Sequence, residues 1–377
     1  MLCLARGQGS GSCGRRKVSC WLLPSQYRRR VANKRLLLLC ALLWSMCDAA
    51  HAIEGPSGAG PIGGTDVRSA VLPPPGLYGG MPVLVGHIFD FVGPKGQTIP
   101  LLSNAQVTRE FAGPFLYYVP NTKVLGGSIG WGVEVPFGNQ CGHLFLRTRD
   151  ECSDGLGDPY AEIDWSRYFG KPRPSRFAGA YPILQGLTVL VGFGTVFPAG
   201  SYDASTPLNK ALSIGSNIWD FAPTIALTYT TAPILIEGTE ISAKWYLNNY
   251  LENPETHYLT GQLLDLDFAV TEHVGRFQIG ATGFYATQIE DDKRFGVPVP
   301  PNGNRGEILQ LGGIVAYDLP ELNTSMKLKA FTSVFAANTT VALSCSAGSQ
   351  SSERISGRCW LRDLTSGIIT LLFQNFG

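Results

Sequence analysis

Apolar and polar residues alternate with a period of two in one short segment after another. In GTEISAKWYLNNY, Ile241, Ala243, Trp245 and Leu247 fall on one side, and Glu240, Ser242, Lys244, Tyr246 and Asn248 on the other. In LLDLDFAVTEHV, Leu264, Leu266, Phe268 and Val270 oppose Asp265, Asp267, Ala269 and Thr271. Weaker alternation runs through 224–230, 277–288 and 326–334. Successive strand side chains point to opposite faces, so each segment is predicted to be a strand with one apolar and one polar side. Stretches such as VGPKGQ, CSDGLGDPY, FPAGSYD and VPVPPNGNRGE separate them and read as turns, where Gly supplies positive φ and Pro fixes φ.

A soluble sandwich also alternates, and three features choose a membrane barrel instead. The segments approach the length of tilted membrane strands. Aromatic residues flank their ends (Tyr229, Trp245, Tyr246, Tyr250, Phe284, Tyr285), as interfacial girdles would. Third, the chain carries an export signal. Arg28, Arg29, Arg30, Lys34 and Arg35 lead into the apolar run Leu36 to Cys47 and then Ala50-His51-Ala52, the three parts of a signal peptide, whose core is too short to span a bilayer as a helix. Cleavage after Ala52 would start the mature chain at Ile53. Residues 1–30 form an unusually long extension, and Val31 is an alternative start.

The prediction is therefore an all-β protein: an antiparallel transmembrane β-barrel of about 12 strands in a Gram-negative outer membrane, following a cleaved signal peptide. Its parts are a leader over 1–52, a flexible Gly/Pro-rich lead-in over 53–75, the barrel over 76–340 and an atypical tail over 341–377. In the tail, SCSAGSQSSERISGRCWLRD interrupts the alternation before the apolar GIITLLFQNFG. Either a long polar loop precedes a closing strand at 367–376, or the tail comes from a shifted reading frame.

Removing the leader changes the charge. Nine of the 30 basic residues and one of the 29 acidic ones precede Ile53, leaving 21 against 28. An acidic mature chain does not suit nucleic acid or a polybasic membrane contact. Of nine cysteines, Cys141, Cys152, Cys345 and Cys359 follow the leader. Cys141 and Cys152 bracket a polar loop and are a candidate disulfide in an oxidising compartment, two free thiols being the alternative.

The histidines after the leader, His87, His143, His257 and His273, sit in no catalytic motif, and there is no HExxH or P-loop. No enzyme activity, cofactor or metal is expected. If any residues tune passage, they are the candidate lumen-lining Glu240, Lys244, Asp265, Asp267 and His273; the alternative is a structural network inside a plugged barrel. Acidic groups there would disfavour anions.

The chain resembles a family through LPPPGLYGG, FLYYVPNTKVLGGSIGWGVEVPFG, GLGDPYAE, FPAGSYD with SIGSNIWDFAPTIALTYT, TGQLLDLDFAV and GFYATQIEDD. These stretches are similar to outer-membrane proteins of the phenol meta-cleavage degradation pathway, over roughly Gly76 to Val334. The resemblance implies a barrel that admits hydrophobic or aromatic small molecules, with Asp158-Pro159 and Gly200-Ser201-Tyr202 as turn determinants. Expected partners are outer-membrane lipid, such small molecules and the barrel-assembly machinery. A non-transporting structural or adhesive barrel is the second hypothesis, and a soluble periplasmic β-protein the third.

Overall fold

The fold is seen in a computed structural model that describes residues 64–145, 149–300 and 302–353. The predicted leader, the start of the lead-in and the candidate strand at 367–376 lie outside the described residues. The fold is a closed antiparallel barrel of 12 strands. Its first four strands each come in two segments: β1 Gly76–Gly80 and Val83–Val92, β2 Gln106–Ala112 and Phe115–Val119, β3 Gly127–Glu134 and Phe137–His143, β4 Glu151–Leu156 and Tyr160–Arg173. The remaining eight are continuous: β5 Ile183–Val196, β6 Asp220–Thr230, β7 Thr239–Tyr250, β8 Leu263–Val274, β9 Phe277–Gln288, β10 Glu307–Leu319, β11 Thr324–Ala337 and β12 Thr339–Glu353. Each strand pairs with its neighbours in sequence, and β12 closes the ring on β1, from Val92↔Thr339 to Leu77↔Glu353.

The closing strand corrects the expected boundary. The barrel extends to Glu353, and SCSAGSQSSE, which has no apolar alternation, is strand all the same. It forms because β1 and β11 offer unpaired ladder groups on both sides, and backbone pairing does not require large side chains.

The faces follow the alternation. On β7, Ile241 is exposed on the lipid side while Glu240, Ser242, Lys244, Tyr246 and Asn248 are buried inside; on β8, Val270 faces out and Asp265, Asp267 and Thr271 face in. The aromatic girdle differs in detail from the expected one. Tyr229, Trp245 and Tyr285 face outward, but Tyr246, Tyr250 and Phe284 share the inward parity and are buried. One outer aromatic belt is built instead from Phe197, Trp219 and Phe221, with ring centroids 5.3 and 5.8 Å apart. A second is formed by Phe277 and Tyr317 at the opposite end.

The connections are unequal. After β1, β5, β7 and β9 the chain runs through 93–105, 197–219, 251–262 and 289–306, whereas β8 joins β9 through Gly275 and Arg276 alone. Outer-membrane barrels keep short turns on the periplasmic side, which places the long loops outside. The 197–219 loop carries a short helix, α1 (Pro207–Leu212), whose Leu212 packs into a cluster with Ile88, Phe91, Leu102 and Val107 and caps the interior above β1 and β2.

Candidate functional site

The lead-in is a strap held inside the barrel rather than a free linker, at least from residue 64 onward. Thr65 donates from its backbone N–H and hydroxyl to Asp267 at 2.9 and 2.7 Å. The Asp66 carboxylate accepts from Lys329 at 3.2 Å and from the Thr282 hydroxyl. Arg68 donates from its backbone to Glu240 at 2.8 Å and grips Asp318 with two guanidinium nitrogens, at 2.7 and 3.2 Å. The Ala70 N–H reaches Thr228 at 3.1 Å. Val67 and Ala70 fill hollows over Ala269 and Ala226, small residues that leave room for a twelfth-strand-wide lumen to hold an extra chain. Arg68 turns the strap with φ 54°. Its contacts with Glu240 and Asp318 lie beside the short-turn ends of β7 and β10, so the strap occupies that half of the lumen.

All five predicted lumen residues lie on the inward face and are buried. Glu240 joins the strap and meets His273 Nε2 at 3.2 Å. Lys244 pairs with Glu162 of β4 at 3.2 Å and lies over the Tyr246 ring. Asp267 caps the strap. Asp265 is different: neither carboxylate oxygen has a hydrogen-bond partner among the described residues, although the side chain is wholly buried. Glu162 also accepts from Tyr160 at 2.9 Å, and neighbouring Asp164 accepts from Tyr117 at 2.9 Å. Tyr117 reaches that far because Gly130 and Gly132 leave bare backbone beneath its ring; a Cβ at either would come within 2.5 Å of it.

Sequence reasoning missed the partners. Asp66 and Arg68 are, with Glu54, the only charged residues between Ile53 and Pro75, and that isolation was a usable signal. Lys327 and Lys329 of β11 alternate in MKLKAF on the inward parity. Glu162 and Asp164 do the same in β4.

Around the strap remains a cavity of about 1560 Å³. Its two walls differ. Facing β7, β10 and β11 it meets Glu240, Lys244, Asp318 and Lys329; facing β1 and β2 it meets Leu84, Ile88, Phe91, Val107 and Phe111, with Arg109 among them. Among the described residues no group of three or more His, Cys, Asp or Glu side chains is arranged to hold a metal ion.

Outside the lumen, polar residues pin the loops. The Asp158 carboxylate accepts from the N–H groups of Gly200 at 2.9 Å and Ser216 at 2.6 Å, tying the GLGDPY turn to the long β5–β6 loop. Ser201 continues the tie through Leu156, donating its N–H to the Leu156 carbonyl at 2.7 Å. Asp292 accepts from Tyr258, from the Gly261 N–H at 2.8 Å and from Asn304 at 3.0 Å, closing the β9–β10 loop onto a small three-stranded sheet; burial raises its pKa against these bonds. At the opposite end Glu237 is buried, which by itself would raise its pKa, but N–H groups of Arg176 and Gly275 and the Ser175 hydroxyl outweigh that and hold it below the usual carboxylate range. Cys141 and Cys152 are joined by a disulfide between adjacent β3 and β4.

The family model described as "Putative MetA-pathway of phenol degradation" matches residues 90–347. Among solved structures, the COG4313 outer membrane channel from Pseudomonas putida F1 is similar with a TM-score of 0.60 at 13% identity, over 76% of this chain and 98% of that one. The β domain of the Bordetella autotransporter BrkA aligns over 74% of this chain and all (100%) of its own, at 10% identity and a TM-score of 0.40. No curated protein matches the sequence. The fold is that of Gram-negative outer-membrane barrels.

Proposed function

The chain belongs to this phenol-degradation family, and on that footing we propose that it is a passive channel admitting small hydrophobic or aromatic molecules across the outer membrane. One observation carries the reading: the cavity has an apolar wall on β1 and β2, made of Leu84, Ile88, Phe91, Val107 and Phe111. A sealed structural barrel would gain by filling that space, because dense packing stabilises an interior and a void forfeits contacts. Ligand sites, by contrast, are concave and mostly apolar with a few placed polar groups.

The second reading is a non-transporting barrel that serves a structural or interaction role. The observation favouring it is the strap, bound through Asp66, Arg68, Thr65 and Ala70. Liposome swelling with the detergent-refolded chain from Ile53 onward separates the two. Swelling with neutral aromatics ahead of sugars of similar size supports the channel; a folded, heat-modifiable barrel that swells with no solute establishes the structural reading.

A further inference from the structure

The cations of the strap and of the charged wall have acidic partners. Lys244 has Glu162, Lys329 has Asp66, and Arg68 has Asp318. Lys327 stands in the field of Asp66 and Glu240. Arg109 stands apart. It points from β2 into the cavity, its Nε is buried without a hydrogen-bond partner, and none of the described acids forms an ion pair or hydrogen bond with its guanidinium. A buried donor left without a partner is unfavourable, and such groups persist where a ligand or function requires them.

Its surroundings define what would satisfy it. On one side β1 presents Gly86, over whose bare backbone the arginine lies: a Cβ there would sit 3.1 Å from Arg109 Cγ. On the other lies Gln140, whose Nε2 donates to the Ser213 carbonyl at 2.9 Å. Above and below, two residues along the strand, are Val107 and Phe111, and the row continues across Gly86 to Ser344 and Phe331. All of these line the cavity. A planar guanidinium fork set in apolar walls is suited to a carboxylate, which it can take with two parallel hydrogen bonds, provided the rest of the molecule is apolar.

We infer that Arg109 is the receptor for the carboxylate of a small apolar organic acid, an aryl or short alkyl carboxylate, whose ring or chain lies against Ile88, Val107, Phe111 and Phe331. This deepens the channel reading by naming a substrate class, and it rests on that reading for its role in uptake, though not for binding itself. It also departs from the expectation that an acidic lumen repels anions. Of the acids counted in that expectation, Glu240 and Asp267 are engaged by the strap and Asp265 does not line the cavity.

Calorimetric titration of the detergent-folded protein with benzoate, phenol, acetate and sulfate tests the site. The wild type is expected to bind benzoate at least roughly tenfold more tightly than phenol, acetate or sulfate, about the discrimination a single charge-assisted pair provides. Arg109→Gln is expected to abolish that preference and leave phenol binding unchanged, with Arg109→Lys intermediate. Equal binding of benzoate and phenol by the wild type overturns the inference, as does equal binding of benzoate and acetate or sulfate, or an unchanged preference in Arg109→Gln. The wild-type comparisons decide alone if the variant does not fold. Liposome entry of neutral phenol, measured in parallel, reports on the channel reading separately: benzoate binding without phenol entry keeps the site and removes the channel, and phenol entry without benzoate binding does the reverse.

Discussion

The wall from β6 to β11 and the wall from β1 to β4 are built on opposite principles. In the first, the strands are unbroken and the inner face is charged and fastened to the strap through Glu240, Asp267, Asp318 and Lys329. In the second, every strand breaks at one level, at Pro82, Pro114, Pro136 and Pro159, and β1 and β2 present the apolar Leu84, Ile88, Phe91, Val107 and Phe111 inward. The breaks form a single crease, because each of these prolines offers its carbonyl to the next strand: Gly113 N–H to Pro82 at 2.9 Å, Val135 to Pro114 at 3.1 Å, Gly157 to Pro136 at 2.8 Å and Phe197 to Pro159 at 2.9 Å. Proline has no N–H to return, so the ladder is halved there while no carbonyl is orphaned. The difference teaches a division of labour: one wall holds the barrel's occupant, and the other leaves the space a solute would use.

If the charged wall is what holds the strap, cutting its ties should have the largest effect. The double variant Asp66→Ala with Arg68→Ala is expected to raise liposome swelling rates several-fold for all small solutes, since the strap then loses both of its ion pairs and keeps backbone and hydroxyl hydrogen bonds alone. Unchanged swelling would mean that the strap does not limit passage. Lys329→Met isolates the energetic side. It leaves Asp66 buried without its cation, and loss of one partner of a buried pair costs about 3–5 kcal/mol, to be read as a lower denaturant midpoint of the folded, heat-modifiable band. A loss below about 1 kcal/mol, the value of an exposed pair, would show that water reaches this network freely.

The two walls were not equally legible in the sequence. On β7 and β8 the alternation of GTEISAKWYL and LLDLDFAV gives strand, face and lumen residues directly, because a lipid-facing apolar side and a polar interior produce opposite residue types at successive positions. On β1 both faces are apolar, with Val85 and Phe89 outside and Leu84 and Ile88 inside, so the period-two signal vanishes there. The strap was illegible for a different reason. Its order comes from partners nearly two hundred residues or more away, as in Thr65 with Asp267 or Asp66 with Lys329, and Gly/Pro-rich composition describes only what the segment would do alone. In β12 the local pattern was overridden by pairing on both edges.

In the creased wall, the segments Phe137–His143 of β3 and Glu151–Leu156 of β4 are joined by the Cys141–Cys152 bond. Replacing both cysteines with serine is expected to cost about 2–3 kcal/mol, the chain-entropy value for a loop of this size, and to leave strap-controlled swelling unchanged. A shift in swelling instead of stability would mean that the two walls are mechanically coupled. Acid separates the barrel's ends in the same way. Because Glu237 is held below the ordinary carboxylate range in the folded state, the stability it contributes is present above the unfolded pKa and is lost as pH falls through the lower folded one. The 231–238 turn should therefore become protease-sensitive in acid, whereas the loop held by Asp292, whose raised pKa makes protonation favour the folded state, should not; Glu237→Gln should remove most of the turn's pH dependence.

The smallest effect is expected at the crease itself. Pro114→Ala restores an N–H to β2 at a level where the neighbouring strands are already bent, and the new donor has no aligned acceptor waiting for it. The gain of a hydrogen bond is thus absent, and what remains is the entropy that proline had removed from the unfolded chain, worth about 0.4–1 kcal/mol of lost stability. A stabilisation on this substitution would mean that the ladder can close across the bend, and that the prolines keep β1–β4 creased against the sheet's own preference. Combining Pro82→Ala, Pro114→Ala and Pro136→Ala sharpens the question: if the crease is imposed by proline, the triple variant straightens the wall, narrows the apolar cavity beside it and slows the entry of neutral aromatics while leaving the strap's ion pairs intact.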